Sequence, residues 1–233
     1  MRRLLLFDID GTLVKGGPAK GAFEYAMESV FGTAGPIVGH KFAGKTDAQI
    51  ARELLQGAGL EDKEIEEGFG RLWDMYLAEL EARLVGEPMD ILPGVASLLE
   101  HLQGLPDVAL GLLTGNIKRG ARLKLRSAGL TEFFSVGGFG AVGGFGSDSE
   151  IREDLTAYAI GRAAEEFGTV FDSQAVVVIG DTPRDVACGR FGGTRTVAVA
   201  TGRYTMEELK AAGPDRVLRD FRDLHVSAEA LLD

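Results

Sequence analysis

Cysteine is almost absent from this sequence, whose 233 residues include only Cys188. A single cysteine cannot close an internal disulfide, so we expect a protein of a reducing compartment, the cytoplasm. The three histidines, His40, His101 and His225, lie far along the chain from one another and from Cys188. They lack the spacing of a zinc site, so neither a disulfide framework nor structural zinc is expected.

Long apolar runs are also absent. The first run, Leu4–Phe7, ends at Asp8 after four residues. It is too short for the apolar region of a signal peptide, and no small-residue cleavage site follows it. No other run approaches the length that crosses a bilayer, so we expect no association with a membrane.

Basic residues are outnumbered, with 25 Lys and Arg against 35 Asp and Glu and a net charge of −10. This charge repels a nucleic-acid backbone and favours solubility. A small anionic substrate is still compatible with it if positive charge is concentrated at the binding site. The oligomeric state is not readable from it. Hydrophobic residues make up 45% of the chain, enough to fill the core of one large domain or of a domain with an insert.

Strand and helix patterns alternate along most of the chain. Short apolar runs ending at turn-forming residues predict strands at 4–7, 108–113, 175–179 and 196–200, with a weaker one at 216–218. Helical periodicity lies between them, at Val95–Leu102, Ile117–Ala128, Ile151–Ala159 and from Pro183 to about Gly192. The alternation predicts an α/β fold, a Rossmann-like doubly wound parallel sheet.

The segment from about Val14 to Pro88 interrupts this alternation with three helical patterns and no convincing strand. They are an apolar stripe over Phe23–Phe31, a capping box at Thr46–Gln49 that opens a second helix, and a third helix capped by Asp62. We predict that residues 1–14 and 88–233 form the core and that residues 15–87 form a helical insert joined to it by glycines.

Two pairs of acidic residues follow predicted strands. Asp8 and Asp10 come directly after the first strand, and Asp181 and Asp185 come after the strand at 175–179. Taken singly, the first pair is explained by a turn and the second by a capped helix N-terminus. Doubly wound sheets bind ligands at the carboxyl ends of their strands. We therefore expect the four carboxylates to meet at that edge.

Four neighbouring carboxylates repel one another unless protons or a cation join them. Oxygen ligands without His or Cys favour Mg²⁺, which is the cofactor we predict. A bound divalent cation accepts phosphoryl oxygens and neutralises their charge, which makes a carboxylate nucleophile feasible. The cleft between the two acidic pairs is therefore able to accept a phosphoryl group.

Two further features suit phosphate binding. Thr114, Gly115 and Asn116 end a predicted strand before a helix and offer a hydroxyl and backbone amides, although a helix cap is the commoner role for Thr and Asn. Arg152 follows the glycine-rich segment 137–146, a predicted flexible turn or hairpin; considered alone, it is better explained as a solvated surface arginine. Gly138–Gly143 fits a dinucleotide-binding pattern by spacing only, without the required strand and helix.

With these motifs in this order, the chain resembles the haloacid dehalogenase superfamily over nearly its whole length, and within it the capped phosphatases related to phosphoglycolate phosphatase and β-phosphoglucomutase. Asp8–Leu13 is similar to the first motif of the family, Thr114 to the second, Arg152 to the third and Asp181–Asp185 to the fourth. The first and fourth are the specific ones. The third departs from the family's Lys-Pro, since Glu153 follows Arg152; arginine keeps the charge with a different geometry, and Lys118 and Lys124 are the alternatives for that role.

The resemblance implies that Asp8 attacks phosphorus and that Asp10 protonates the leaving oxygen and later deprotonates water. Asp8, the backbone carbonyl of Asp10, Asp181 and Asp185 would hold Mg²⁺. The insert would be a cap that closes over the site. Phosphate contacts are placed at Gly11, Thr12, Thr114, Gly115, Asn116 and Arg152. Lys45 in the insert is either a substrate contact or an exposed loop lysine.

The leading hypothesis is therefore a Mg²⁺-dependent phosphatase that acts on a small phosphorylated metabolite and forms an aspartyl-phosphate. A phosphomutase shares that intermediate but returns the phosphoryl group to a sugar. A receiver-like signalling module is also phosphorylated on Asp but is shorter and has no insert. A catalytically retired phosphate-binding protein would not need all four carboxylates, and dehalogenation is disfavoured because the family's dehalogenases lack an acid at the position of Asp10.

Overall fold

The computed structural model describes residues 2–134 and 142–233. Its strands are β1 (Arg3–Phe7), β2 (Val14–Lys15), β3 (Asp90–Ile91), β4 (Val108–Thr114), β5 (Gly143–Phe145), β6 (Val176–Gly180), β7 (Arg195–Val199) and β8 (Arg216–Leu218). Six of them form a sheet in the order β5-β4-β1-β6-β7-β8, with every neighbouring pair parallel. The predicted Rossmann-like α/β fold is confirmed.

Helices connect and cover these strands. They are α1 (Ala19–Phe31), α2 (Asp47–Gly57), α3 (Asp62–Leu84), α4 (Val95–Gln103), α5 (Lys118–Ser127), α6 (Leu155–Phe167), α7 (Pro183–Phe191), α8 (Met206–Ala212) and α9 (Leu224–Leu232). Within the described ranges, no helix combines the length and apolar character needed to cross a membrane.

The central strand β1 is buried on both faces of the sheet. Leu5 and Phe7 belong to the larger core cluster, whereas Leu4 and Leu6 belong to the cluster on the opposite face. Successive side chains of a strand point to opposite faces, so an uninterrupted apolar run is required wherever helices cover both sides. This burial holds the carboxyl end of β1, and with it Asp8, in one place.

The segment between β2 and β3 contains α1, α2 and α3. Phe23 of α1 meets Tyr76 of α3 edge to face at 5.2 Å between ring centroids. The two connections to the sheet pair with each other, since Val14 and Lys15 form an antiparallel ladder with Ile91 and Asp90. Two-residue strands leave too little periodicity to be recognised in a sequence. The boundaries between core and helical insert, placed at residues 14/15 and 87/88, stay a prediction.

Local details correct three sequence expectations. Glu61 and not Asp62 occupies the N-cap of α3, and Asp62 accepts hydrogen bonds from Arg52 and Gln56 instead. Thr46 caps α2 by accepting from the amide of Gln49, as predicted, but the Gln49 side chain donates to Glu53, so the box is half formed. In the third case, the helical periodicity predicted over Ile151–Ala159 starts too early, because α6 begins at Leu155. Ile151 and Tyr158 are exposed, and the buried face of α6 is formed by Leu155, Thr156, Ala159 and Ala163.

The glycine-rich segment is described only from Val142 onward; residues 137–141, and so most of the Gly138–Gly143 pattern, lie outside the described residues. Gly143–Phe145 is the edge strand β5, parallel to β4, where a flexible turn or hairpin was predicted. A Cβ on Gly144 would collide with the backbone of Leu155. The glycine therefore permits close packing of α6 on this strand, which a propensity argument cannot foresee.

Candidate active site

Three buried carboxylates meet at the carboxyl edge of the sheet. Asp8 follows β1, and Asp181 and Asp185 follow the neighbouring strand β6. One oxygen of each lies within 4.8 Å of the others, and each residue is at most 5% exposed. The predicted convergence of two acidic pairs therefore holds for these three residues, and their oxygens form a donor set suited to a hard divalent cation.

The loop after β6 places Asp185 through the start of α7. Thr182, not Asp181, is the N-cap, and its hydroxyl and amide both donate to Oδ2 of Asp185, at 2.7 and 2.9 Å. Pro183 supplies the first helical position, where no amide hydrogen is needed. This reciprocal cap holds Oδ2 of Asp185 and leaves Oδ1 to accept from Arg152.

Arg152 joins this carboxylate cluster. Its Nη2 lies 2.5 Å from Oδ1 of Asp185 and 3.3 Å from Oδ1 of Asp8, and its side chain is 3% exposed. The interpretation as a solvated surface arginine is therefore wrong. Its buried Nε has no hydrogen-bond partner among the described residues, which leaves a donor for a ligand. The guanidinium thus brings a fixed positive charge to Asp8 and Asp185, and its role as the cation of the third motif stays a prediction.

Burial and mutual repulsion dominate the electrostatics of this cluster. Burial raises the pKa of Asp8 to about 7, with Arg152 opposing the shift and Asp185 adding to it. Burial likewise raises the pKa of Asp181 to about 8, reinforced by the charges of Asp185 and Asp8. Arg152 alone therefore leaves the cluster short of positive charge, which a bound cation would supply.

Asp10 stands in a different environment, two residues from Asp8. Nζ of Lys124 donates to both of its oxygens, at 2.9 and 2.7 Å, and the amide of Asn116 donates to Oδ2 at 2.7 Å. Desolvation opposes ionisation, but Lys124 and Asn116 outweigh it and lower the pKa of Asp10. Lys124, an alternative for the third motif, is instead buried against Asp10 and Asn116.

The loop after β4 supplies the second motif. Thr114 is fully buried, and its hydroxyl accepts from the amide group of Asn116 at 2.8 Å. Neither residue caps α5, whose N-cap is Ile117 without a side-chain hydrogen bond, so the helix-cap alternative is wrong. The amide of Ile117 is taken by Asp47 of α2, and burial raises the pKa of Asp47 to about 6.

Gly11 and Thr12 shape the loop rather than line the cavity. Gly11 has φ 87°, and a Cβ there would lie 2.5 Å from Oδ2 of Asp181. Its amide donates to the carbonyl of Val14, and Thr12 Oγ1 donates to Asp181 across 3.4 Å. The phosphate contacts placed at Gly11 and Thr12 stay predictions, and both residues pack the turn against Asp181.

A cavity of about 340 Å³ opens above Asp8 and Asp10. From the core it is lined by Asp8, Asp10, Thr114, Gly115, Asn116, Lys124, Arg152, Asp181 and Thr182. The helical segment contributes Lys20, Phe23, Phe42, Lys45, Asp47, Ile50 and Tyr76, among others. Lys45 is largely buried and ion-paired with Glu53, so it is not an exposed loop lysine, and its role as a substrate contact stays a prediction.

The start of α2 docks onto the core loops that form the cavity. Thr46 Oγ1 donates to the carbonyl of Glu150 at 2.8 Å, and the amide of Asp47 donates to the carbonyl of Gly115 at 2.8 Å. Nε of Arg52 donates a bifurcated hydrogen bond to the two oxygens of the Glu150 carboxylate. These contacts hold the start of α2 against the core loops that line the cavity.

Residues 3–193 match the model of the haloacid dehalogenase-like hydrolases. The chain belongs to that family and is an enzyme of the hydrolase class. Among curated proteins it is 30% identical to phosphoglycolate phosphatase of Synechococcus elongatus, over 94% of each chain. It is 25% identical to a probable phosphatase, IndB, of Dickeya dadantii, over 100% of this chain and 96% of that protein.

Solved structures share the fold. A hydrolase from Pseudomonas syringae matches all of both chains with a TM-score of 0.72 and 22% identity. A predicted phosphoglycolate phosphatase from Haemophilus somnus matches 97% of this chain and 98% of its own with a TM-score of 0.67 and 19% identity. At these identities the likeness supports the fold alone.

Proposed function

We propose that this hydrolase is a Mg²⁺-dependent phosphatase that removes the phosphoryl group of a small metabolite through an aspartyl-phosphate on Asp8. The observation that carries the proposal is the contact of Asp8 with Arg152 beside Asp181 and Asp185. This arrangement combines a carboxylate nucleophile, an anion-binding guanidinium and a set of hard oxygen ligands at one point. The names of the two curated relatives agree with a phosphatase.

The donor set fits Mg²⁺. It consists of carboxylates without His or Cys, and burial, reinforced by the neighbouring carboxylates, raises the pKa values of Asp8 and Asp181, a shift that a bound cation would oppose. Asp8, Asp181 and Asp185 would hold the ion together with the backbone carbonyl of Asp10. Once bound, Mg²⁺ would keep these carboxylates ionised and neutralise charge on the phosphoryl oxygens.

In the first step, a carboxylate oxygen of Asp8 forms a bond to phosphorus. The bond between phosphorus and the leaving oxygen breaks, its electron pair stays on that oxygen, and Asp10 donates a proton to it. Arg152 and the hydroxyl of Thr114 contact the phosphoryl oxygens. In the second step, Asp10 takes a proton from water, the water oxygen attacks phosphorus, and phosphate leaves with restoration of the Asp8 carboxylate.

Lys124 and Asn116 act on Asp10 and not on phosphate in this scheme. Their three hydrogen bonds orient the carboxylate and keep it ionised in the resting enzyme. The ionised form is the one that accepts a proton from water. Donation to the leaving oxygen requires that Asp10 take up one proton before or together with the substrate.

We further propose that residues 15–87 act as a cap. The contacts of Thr46, Asp47 and Arg52 with the core support this role, because the helical segment then encloses the reacting groups and limits access of water. The cavity volume favours a small substrate. A cytoplasmic location is proposed from the single, buried and unpaired Cys188, and the charge of −10 argues against a nucleic-acid substrate.

The test is hydrolysis of p-nitrophenyl phosphate and a panel of sugar, hydroxy-acid and nucleotide monophosphates, with Mg²⁺ or with a chelator. We expect turnover that needs the metal and that falls about a thousandfold or more in Asp8→Asn. Asp74→Asn, at an exposed position of α3, is the matched control. Undiminished turnover in Asp8→Asn would refute the proposal, and product analysis with a hexose phosphate would reveal a mutase.

A further inference from the structure

The first residue of α2 joins the helical segment to the loop that begins α5. Asp47 donates its backbone amide to the carbonyl of Gly115, and its Oδ2 accepts from the amide of Ile117, both at 2.8 Å. The first amides of a helix have no partner within that helix, so they need one elsewhere. Ile117 is the N-cap of α5, and its side chain makes no capping hydrogen bond. Each of the two helix starts therefore supplies a partner that the other lacks.

The loop before α5 is packed between the helical segment and the core. A Cβ on Gly115 would collide with the backbone carbonyl of Lys45, so only glycine permits this approach of the two backbones. On the core side, the carbonyl of Asn116 accepts from the amide of Gly146 at 2.9 Å. In such close packing, a displacement at Asp47 is passed on to the loop and is not absorbed by a gap.

The same stretch of chain carries both groups that hold Asp10. Asn116 directly precedes Ile117, and its side-chain amide donates to Oδ2 of Asp10 at 2.7 Å. Lys124 lies on α5, and its Nζ donates to both oxygens of Asp10 and to Oδ1 of Asn116. Holding the start of α5 in place therefore holds the two donors that orient the Asp10 carboxylate.

Contact with the substrate is the competing role for Asp47, because it is one of the residues that line the cavity. Its charge argues against that role, since an ionised carboxylate repels an anionic phosphate ester. Its Oδ2 is also already engaged by the amide of Ile117. The hydrogen bonds that Asp47 makes lead to the loop before α5, and that loop leads to Asp10.

We propose that Asp47 is a positioning residue for the reaction. By holding the amide of Ile117, it fixes the places of Asn116 and Lys124 and so the orientation of the Asp10 carboxylate. This inference rests on the proposed function, in which Asp10 carries the proton. It gives the helical segment a part in acid and base catalysis in addition to enclosing the cavity.

Steady-state kinetics of Asp47→Ala, with p-nitrophenyl phosphate and Mg²⁺, test the role. The variant should lower kcat roughly ten- to hundredfold with little change in KM, because misplacement of a reacting group by about 1 Å has such an effect. Asp47→Asn, whose side-chain carbonyl can still accept from Ile117, should recover most of kcat. Glu64→Ala, which removes an exposed acidic residue from the first turn of α3, should leave both constants unchanged.

Two kinetic results would overturn the inference. A raised KM with unchanged kcat would make Asp47 a substrate contact, and equal losses in Asp47→Ala and Asp47→Asn would contradict its role as the acceptor for Ile117.

A double-mutant cycle asks whether Asp47 acts through Asp10. In an Asp10→Asn background, Asp47→Ala should lower the remaining activity by about twofold or less, because the effects of residues that act through one another do not add. A loss as large as in the unmutated background would show that Asp47 acts by another route, which would contradict the inference.

Nuclear magnetic resonance tests the contact without turnover. In Asp47→Ala, the amide of Ile117 should exchange with solvent faster, since it has lost its acceptor, and the side-chain amide resonances of Asn116 should shift. Unaltered exchange and resonances would overturn the inference. These changes in a protein whose unmutated form has no metal-dependent turnover would contradict the proposed function alone. Metal-dependent turnover that Asp47→Ala leaves undiminished would contradict this inference alone.

Discussion

The side chain of Asp8 is 7% exposed and that of Asp10 is 45% exposed, although the two residues belong to the same loop after β1. Asp8 contacts a buried arginine and lies among two further carboxylates, and burial raises its pKa to about 7. Asp10 faces the cavity, where Lys124 and Asn116 lower its pKa. Two identical groups thus receive different chemistry from their neighbours, as acid and base pairs in enzymes commonly do.

The difference in environment suits Asp8 and Asp10 to two different roles. Asp8 is suited to hold a cation and to bond with phosphorus, because its surroundings are rich in negative charge and dry. Asp10 is suited to move a proton, because its oxygens reach the cavity while its orientation is held by hydrogen bonds.

The largest effect is expected from removing the proton carrier. Asp10→Asn should lower kcat/KM by roughly a hundred- to ten-thousandfold, the usual contribution of a general acid and base. The loss should be greater for an alkyl phosphate than for p-nitrophenyl phosphate, whose leaving group needs no proton. Steady-state kinetics with both esters measure it, and an equal loss with the two would contradict a role of Asp10 toward the leaving oxygen.

On the side of Asp8, Arg152→Met should reduce the free energy of unfolding by about 3–5 kcal/mol in the absence of metal, because it leaves buried carboxylates without their cation. Arg152→Lys should recover part of this loss. Chemical denaturation measures it. The control is Arg162→Met, which breaks a more exposed pair with Asp148. A loss at Arg152 no greater than at Arg162 would show that the buried contact is not what stabilises the cluster.

On the side of Asp10, Lys124→Met should lower kcat roughly ten- to hundredfold through misplacement of the carboxylate, with little change in KM. Lys118→Met, on the same helix, serves as the control. A rise in KM for phosphate esters with unchanged kcat would instead give Lys124 the phosphate-binding role and remove the contrast with Arg152.

The smallest effect is a pH dependence of stability. The raised pKa values of Asp8 and Asp181 mean that the folded state binds more protons than the unfolded one between about 4 and about 8. The Tm of metal-free protein should therefore contain a contribution that is lost as pH rises through that window. Mg²⁺ should raise Tm more at pH 8 than at pH 5.

Asp181→Asn should flatten this dependence, whereas Asp10→Asn should not. The lowered pKa of Asp10 has the opposite sign, since its contribution is present at higher pH and is lost as pH falls. A Tm profile of metal-free protein that Asp181→Asn leaves unaltered would contradict the assignment of the shift to the buried cluster.

The carboxylates of the site could be predicted from the sequence, because their place in the fold follows from their position directly after a strand. Asp8 and Asp181 each follow a strand that its apolar run reveals, and parallel neighbouring strands bring them together. The sequence could not identify the partner of Lys124, since the contact with Asp10 depends on how the fold brings α5 to the loop after β1. Gly143–Phe145 was missed as a strand because its glycines serve close packing rather than strand propensity.

The most direct test of the division between Asp8 and Asp10 is a chemical trap. Asp10→Asn protein is mixed with p-nitrophenyl phosphate and Mg²⁺, quenched in acid, digested and analysed by mass spectrometry. Because the first step then needs no proton and the second lacks its base, we predict that a phosphoryl group accumulates on Asp8 and is absent after the same treatment of Asp8→Asn. A phosphoryl group on another residue, or none on Asp8 while p-nitrophenol is released, would contradict the account.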